Sequence, residues 1–235
     1  MSTTTTSPIT EIAIIPYASS TSPSDPILDA SRHTVSSQPG FLSLYHGGRL
    51  ESPTTLQNWA ITWTTLAAHR AFEASPAYQP FLERLGPLLD GPAHIVHYAF
   101  QDAAGAERAY GAPATEFATL YVGAGDKEAR EALQKRVEHL FDVFRESKAG
   151  GWHGGTWGWS EEEVELEGLG EGGEKGKGKA CLVVMGWDSK EAHEAYRGTE
   201  AFKGAIDPVR EVVKKSEMWH CGMQKYQGGQ GSATG

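Results

Sequence analysis

Two stretches of the chain read WTTLAAHRAF (residues 63–72) and WDSKEAHEAY (residues 187–196). The tryptophan, the histidine and the closing aromatic residue recur 124 residues apart, as 63 and 187, 69 and 193, and 72 and 196. The same spacing aligns Tyr78 with Phe202. A repeat over this distance predicts two copies of one structural unit.

Two further pairs of matching segments lie upstream of these stretches. Residues 45–48 (YHGG) match residues 152–155 (WHGG) at a spacing of 107, and residues 10–13 (TEIA) match residues 115–118 (TEFA) at a spacing of 105. The spacing therefore grows by 17 residues before the tryptophan stretches. Residues 161–179 lie in this interval and are rich in Gly, Glu and Lys, which predicts a loop insertion in the second copy.

Each copy shows the same order of predicted strands and helices. Strands are predicted at residues 11–17, 41–49, 56–63 and 94–100, and again at 116–122, 151–159, 180–187 and 217–226. Helices are predicted at residues 25–37 and 66–85, and at 126–148 and 189–214. The order βαββαβ is the ferredoxin-like arrangement. The sequence therefore predicts an α+β fold of two tandem ferredoxin-like units that form an intramolecular dimeric α+β barrel.

The domain organisation follows from this repeat. We expect a first unit at residues 9–100, a linker at 101–114 and a second unit at 115–226, with disordered tails at 1–8 and 227–235. The two units of one chain would complete a barrel, so we expect a monomer with a pseudo-dimeric barrel. Further pairing into a homodimer through outer surfaces stays open.

Composition excludes several classes of function. The net charge of −9 and the pI near 5.5 argue against sequence-independent binding to nucleic acid, which needs clustered cations. No apolar run reaches the roughly 18 residues that a membrane-spanning helix needs, and the first residues lack the features of a secretory signal. Cys181 and Cys221 are too few for a disulfide framework. We therefore expect no membrane association and a cytoplasmic location.

The repeated stretch resembles a known family. The pattern Trp-x-Ser/Thr-x-x-Ala-His-x-Ala-aromatic, extended to a later Ser/Thr and aromatic residue, covers residues 63–78 and 187–202. It is similar to the antibiotic-biosynthesis monooxygenase (ABM) family of the dimeric α+β barrel superfamily, over roughly residues 9–226 without the insertion. The resemblance implies cofactor-free oxygenases of phenolic polyketides and quinols, haem-degrading enzymes, or proteins without an established activity. Fold membership alone does not choose among them.

The resemblance does not extend to haem chemistry. The iron-ligating histidine of the haem-degrading branch would fall at Leu82 and Ile206, which cannot bind iron. The sequence also lacks a phosphate-binding loop, a dinucleotide fingerprint, a Gly-x-Ser-x-Gly elbow and a recognised metal spacing. We therefore expect no cofactor and no metal.

Candidate catalytic bases come from the matched HGG segments. His46 and His153 precede paired glycines on the predicted second strands, and a histidine near its ordinary pKa suits proton removal from a phenol or anthrone. The alternative interpretation is a histidine close to a turn, with glycines that relieve a bulge.

Candidate contacts to a flat ligand come from the aromatic and histidine positions of the repeat. These predicted substrate-binding residues are Trp59, Trp63, His69, Tyr78, His94, Trp187 and His193. A structural role is open for each of them, because a tryptophan there can pack the helix onto the sheet and a histidine can lie at the core boundary.

The histidines of the fourth strands are expected to differ between the copies. Alternation places His94 on one face of the strand and His97 on the other. At the spacing of 124 their counterparts are Met218 and Cys221, which predicts that the copies have diverged and that one pocket is functional.

The sequence supports three functions. The first is an oxidoreductase, a cofactor-independent monooxygenase that binds a hydrophobic, aromatic or polyketide-type small molecule between sheet and helices. The second is a non-catalytic ligand-binding or stress-related protein. The third is a polyketide cyclase or decarboxylase.

Overall fold

The structure, a computed structural model, describes residues 8–51 and 55–228. These residues divide into two compact units. The first unit comprises the described parts of Met1–Ala99 and Met223–Gly235, and the second unit comprises Phe100–Gly222. The predicted tails at 1–8 and 227–235 lie outside the described residues, apart from Pro8, Gln227 and Gly228.

The first unit is a ferredoxin-like sheet with helices. Its elements are β1 (Ile9–Pro16), α1 (Pro26–Ser36), β2 (Phe41–Gly48), β3 (Leu56–Trp63), α2 (Leu66–Glu73), α3 (Tyr78–Leu85), β4 (His94–Phe100) and, from the end of the chain, β10 (Gln224–Lys225). The antiparallel strands lie in the order β10-β2-β3-β1-β4.

The second unit repeats this topology with additions. Its elements are α4 (Ala103–Tyr110), β5 (Ala114–Gly123), α5 (Lys127–Glu146), β6 (Trp152–Ser160), β7 (Val164–Glu167), β8 (Lys175–Trp187), α6 (Lys190–Arg197), α7 (Glu200–Arg210) and β9 (Lys215–Cys221). The strands lie in the order β6-β8-β5-β9, and β7 pairs with the first part of β8. The strand order β2-β3-β1-β4 of the first unit is therefore matched strand for strand.

Side-chain caps fix where the helices begin. Asp25 and Asp126 accept hydrogen bonds from first-turn backbone N–H groups of α1 and α5, and Pro26 opens α1 at a position where no N–H is needed. Thr65 and Ser189 cap α2 and α6 in the same way. The caps of α2, α5 and α6 lie within three residues of the end of the preceding strand, whereas α1 begins after a longer loop that follows Pro16.

Several local predictions were wrong. Each long second helix is split in two, because a new helix begins after residue 77 and after Thr199, which caps α7. Residues 101–114, expected to be a linker, contain α4. The insertion at 161–179 forms a charged hairpin of β7 and β8, in which Lys175 lies 3.3 Å from Glu165.

The second strands show why the HGG segments were misaligned. Phe41 pairs with Trp63 and Trp152 pairs with Trp187, and the register then shifts in both strands. Phe41 and Trp152 are therefore equivalent, at a spacing of 111 rather than 107. His46 and His153 do not occupy equivalent positions. The prediction that they do was wrong.

Each unit has a core between its sheet and its helices. The first core is built around residues such as Leu28, Leu44, Trp63 and Phe72, and the second around residues such as Leu133, Val183, Trp187 and Phe144. Among the described residues, no helix has the length and apolar character needed to cross a membrane.

Candidate functional site

A cavity of about 340 Å³ lies between the sheet and the helices of the first unit. Most of its wall is apolar, and Trp59, Trp63 and Tyr78 contribute aromatic surface. Its lining residues are Glu11, Ala13, Ile15, Val35, Trp59, Ile61, Trp63, His69, Phe72, Tyr78, Phe81, Leu82, Leu85, Gly86, Leu89, Pro92, Ala93 and Ile95. Its size and chemistry are typical of a small-molecule site.

The cavity has an apolar rim. Leu82 on α3 and Ile95 on β4 line the cavity and are also partly exposed to solvent, at 40% and 36%. Covering exposed aliphatic surface removes it from water and is favourable. These two residues therefore add to the apolar surface that the cavity offers a ligand.

A chain of buried polar side chains closes one part of the cavity. His69 Nδ1 lies 2.7 Å from His97 Nε2, and His69 Nε2 lies 3.3 Å from Glu11 Oε2. The same Glu11 oxygen accepts a hydrogen bond of 3.0 Å from Trp63 Nε1. Glu11 and His69 line the cavity, while His97 lies opposite Glu11 on the neighbouring strand. Two strands and a helix thus position three titratable groups beside a ligand-sized space.

Burial raises the pKa of the carboxyl group in this hydrogen-bonded cluster. Desolvation raises the pKa of Glu11 from 4.5 to about 7, although the Trp63 hydrogen bond and the nearby His97 lower it. A carboxyl group with a pKa near 7 exchanges protons readily at neutral pH. Perturbed groups of this kind beside a cavity are typical of functional sites.

The contacts of His69 permit two proton arrangements. In the first, Glu11 is protonated and faces an unprotonated His69 Nε2, while His69 Nδ1 donates to His97. In the second, Glu11 is ionised and faces a protonated His69 Nε2, while His97 donates to His69 Nδ1. A proton gained or lost at Glu11 is therefore accommodated by shifts along the chain.

The same three side chains are of the types that bind a metal ion. One ligand atom from each of Glu11, His69 and His97 lies within 4.8 Å of the others, and two histidines with one carboxylate can bind iron. However, His69 contacts Glu11 through Nε2 and His97 through Nδ1, and the 2.7 Å between the two histidine nitrogens is a hydrogen-bond distance. The arrangement fits a hydrogen-bonded proton path better than a metal centre.

The second unit contains the same polar cluster. His193 Nδ1 lies 2.8 Å from His220 Nε2, and His193 Nε2 lies 3.4 Å from Glu116 Oε2, which accepts a 3.0 Å hydrogen bond from Trp187 Nε1. Burial raises the pKa of Glu116 to about 7. Burial, followed by the nearby His220 and Arg197, lowers the pKa of His193 to about 3.

The duplicated cluster corrects the expectation for the fourth strands. His97 lies opposite Glu11 and His220 lies opposite Glu116, so these two histidines are equivalent at a spacing of 123. The predicted pairing of His97 with Cys221 was wrong. The divergence between the units therefore lies outside this polar cluster.

Some predicted site residues meet at the cavity and others do not. Trp59, Trp63, His69 and Tyr78 line it, while Trp187 and His193 belong to the second cluster. His94 is exposed at the start of β4 and is not a lining residue. Their roles as ligand contacts stay predictions.

The two predicted catalytic bases lie elsewhere. His46 lies opposite Trp59 on β2, and burial together with the nearby Arg32 lowers its pKa to about 4. His153 is 43% exposed and lies 2.6 Å from Asp188. Neither lines the cavity, so their catalytic roles also stay predictions.

Sequence reasoning missed both acids and the importance of two histidines. Glu11 and Glu116 each stand within an apolar strand, and the repeat TEIA and TEFA brings both to the same position. A carboxylate duplicated inside a buried strand needs a partner. That signal could have identified the cluster together with His97 and His220.

Solved structures resemble the chain over nearly its full length. An anthrone oxidase-like protein is 16% identical, with a TM-score of 0.63 and coverage of 93% of each chain. A candidate monooxygenase from Lactobacillus acidophilus is 14% identical, with a TM-score of 0.56 and coverage of 94% of this chain and 97% of its own. One from Fusobacterium nucleatum is 9% identical, with a TM-score of 0.57 and coverage of 94% of each chain.

The chain has the tandem dimeric α+β barrel fold. The predicted fold class is thereby confirmed. At these identities the likeness shows the barrel fold alone. No protein-family profile and no curated protein matches the sequence.

Proposed function

We propose that this protein is a cofactor-independent monooxygenase of an aromatic substrate with an acidic C–H group, and that the first unit carries its active site. The observation that carries the proposal is an apolar cavity that ends on the buried chain Glu11–His69–His97. The apolar wall favours a flat aromatic ring, and the chain supplies a proton acceptor away from bulk water. The shared fold of an anthrone oxidase-like protein supports an anthrone as the substrate class.

The reaction needs only oxygen besides the substrate. For an anthrone methylene it is R₂CH₂ + O₂ → R₂C=O + H₂O. Ionised Glu11 takes one C–H proton, and the carbanion gives electrons to O₂ as a C–O bond forms and the stored proton completes a hydroperoxide. Removal of the second C–H proton then forms the C=O bond and breaks the O–O bond, and the released hydroxide takes up that proton and leaves as water.

The residues of the site have distinct roles in this scheme. Glu11 and His69 contact the cavity and are the catalytic residues, while His97 is a positioning residue that acts through His69. Trp63 holds the Glu11 oxygen in place with its N–H group. Because the base is ionised Glu11, the rate should rise with pH through about 7.

Oxygen uptake with 1,8-dihydroxyanthrone tests the proposal. With protein shown to be free of metal, we expect uptake above non-enzymatic autoxidation, and Glu11→Gln and His69→Gln should lower kcat/KM by about 10²–10⁴-fold. The matched variants Glu116→Gln and His193→Gln change the same groups in the second unit and should retain activity.

Four results would count against the proposal. Uptake no faster than autoxidation would reject the oxygenase, and saturable binding without uptake would favour a ligand-binding protein. An equal loss in the Glu116→Gln variant would remove the assignment to the first unit. Loss of activity in His46→Ala or His153→Ala, with Glu11→Gln still active, would restore the bases predicted from sequence.

A further inference from the structure

The four buried residues of α1 have the same spacing as the last four of the five buried residues of α5. The shared intervals are three, one and three residues: Leu28, Ser31, Arg32 and Val35 on α1, and Val137, Leu140, Phe141 and Phe144 on α5, where Leu133 precedes them. Both helices follow the first strand of their unit and precede the second. Val35 therefore takes the place of Phe144.

Phe144 fills the centre of the second unit. Its ring centroid lies 4.7 Å from that of Tyr196, 5.6 Å from that of Trp187 and 6.3 Å from that of Phe202, and the Phe144 side chain is fully buried. Tilted and edge-to-face contacts at these distances are favourable for aromatic rings.

The partners of Phe144 have counterparts around the cavity of the first unit. At the spacing of 124, Tyr196 corresponds to Phe72, Trp187 to Trp63 and Phe202 to Tyr78. All three counterparts line the cavity, and so does Val35. The space left where valine replaces phenylalanine is thus surrounded by the same kind of aromatic side chains.

We propose that Val35 is the specificity-determining residue that opens the first unit to a ligand, and that the ligand places an aromatic ring where the second unit holds the ring of Phe144. The ring then contacts Trp63, Phe72 and Tyr78, and a polar substituent reaches Glu11 and His69. The second unit is a closed copy of the same site. The inference rests on the proposed function for the cavity as the ligand site, and it does not depend on the oxidation step.

Filling the space in the first unit tests this inference. Calorimetric titration with 2-naphthol, which carries fused rings and one hydroxyl group, should give one site per wild-type chain. Val35→Phe places the ring of Phe144 in the cavity and should weaken binding by about tenfold or more. His33→Phe adds the same ring at an exposed position of α1 and should bind like wild type.

The converse change tests the closed copy. Phe144→Val removes the filling ring, and an apolar cavity of this kind binds small aromatic molecules. Titration with phenol should then show one more site than in wild type, and Glu116→Gln in the same background should weaken only that site. Phe144→Leu is a smaller change that keeps the test available if the valine variant does not fold.

The outcomes separate this inference from the oxygenase proposal. Folded Val35→Phe protein that binds 2-naphthol as wild type does, or folded Phe144 variants without an added phenol site, would overturn the inference. Unchanged anthrone oxidation in Val35→Phe would also overturn it and leave the oxygenase standing. Binding that depends on Val35 without any oxygen uptake would support the inference and reject the oxygenase.

Discussion

Replacing Glu11 by glutamine should change how stability depends on pH. The folded-state pKa of Glu11 is about 7, whereas a solvated glutamate has a value near 4.5. Between these values the folded chain holds a proton that the unfolded chain has lost. The stabilising contribution is therefore full below pH 4.5 and is lost as the pH rises through 7.

The expected size follows from the shift. Each pKa unit corresponds to about 1.4 kcal/mol, so the wild-type free energy of unfolding should fall by about 3 kcal/mol across this window through Glu11 alone. Glu11→Gln has no ionisable proton and should lack this fall. Its amide oxygen can still accept the hydrogen bond from Trp63.

Urea unfolding at a series of pH values between the two pKa values measures the effect. The informative quantity is the difference between wild type and Glu11→Gln, because the other titrating groups cancel in it. Glu116→Gln should show a similar difference, since burial gives Glu116 the same pKa of about 7. If the free energy of unfolding depends on pH in the same way for wild type and both variants, neither carboxyl group has a shifted pKa. Glu11 would then not be the acid of the proposed proton path.

The remaining predictions concern packing, capping and a second titration. Gly105→Ala should lower stability by about 1–3 kcal/mol, because the new Cβ would lie 2.3 Å from the Gly155 carbonyl oxygen. Gly204→Ala should raise stability by about 0.5–1 kcal/mol, because this position in α7 has free space around the new Cβ. Urea unfolding that shows the same direction for both changes would contradict this prediction. Ser189→Ala should cost about 1 kcal/mol of stability through the lost cap of α6, and a change below a few tenths of that in thermal unfolding would argue against the cap. Burial lowers the pKa of His193 to about 3, so the stability that its neutral form contributes is lost as the pH falls from 6.5 towards 3. In His193→Gln the free energy of unfolding should therefore depend less on pH in this window. An unchanged pH dependence would show that His193 is not held neutral.

The fold was predictable because its signals are local and repeated. The matching stretches around Trp63 and Trp187 each close a strand and open a helix, and the α5 stripe from Leu133 to Phe144 has clear helical periodicity. Two such copies in the same order determine the βαββαβ topology. The division of each second helix into two shorter helices was missed. The residues that begin the new helices, such as Thr199, lie inside a stretch whose amphipathic pattern continues without a visible break.

The candidate site was predictable only in part. Trp63, His69 and Tyr78 line the cavity, as their aromatic and histidine character indicated. The partnership of His69 with His97 depends on strand register, and a one-residue change in spacing between the units hid the equivalence with His220. The cavity itself depends on Val35, which lies where the second unit has Phe144. Because α1 has 11 residues and α5 has 20, aligning the two sequences does not reveal that these positions correspond.

The short strand β10 makes the first unit a product of two segments that are far apart in the sequence. Gln224 pairs with His46, and the Tyr226 N–H group donates to the Leu44 carbonyl beyond it. During synthesis, the sheet of the first unit therefore stays incomplete until residues 224–226 have been made, after the whole second unit. Deletion of residues 224–226 consequently acts on the first unit, although the second unit directly precedes them in the sequence.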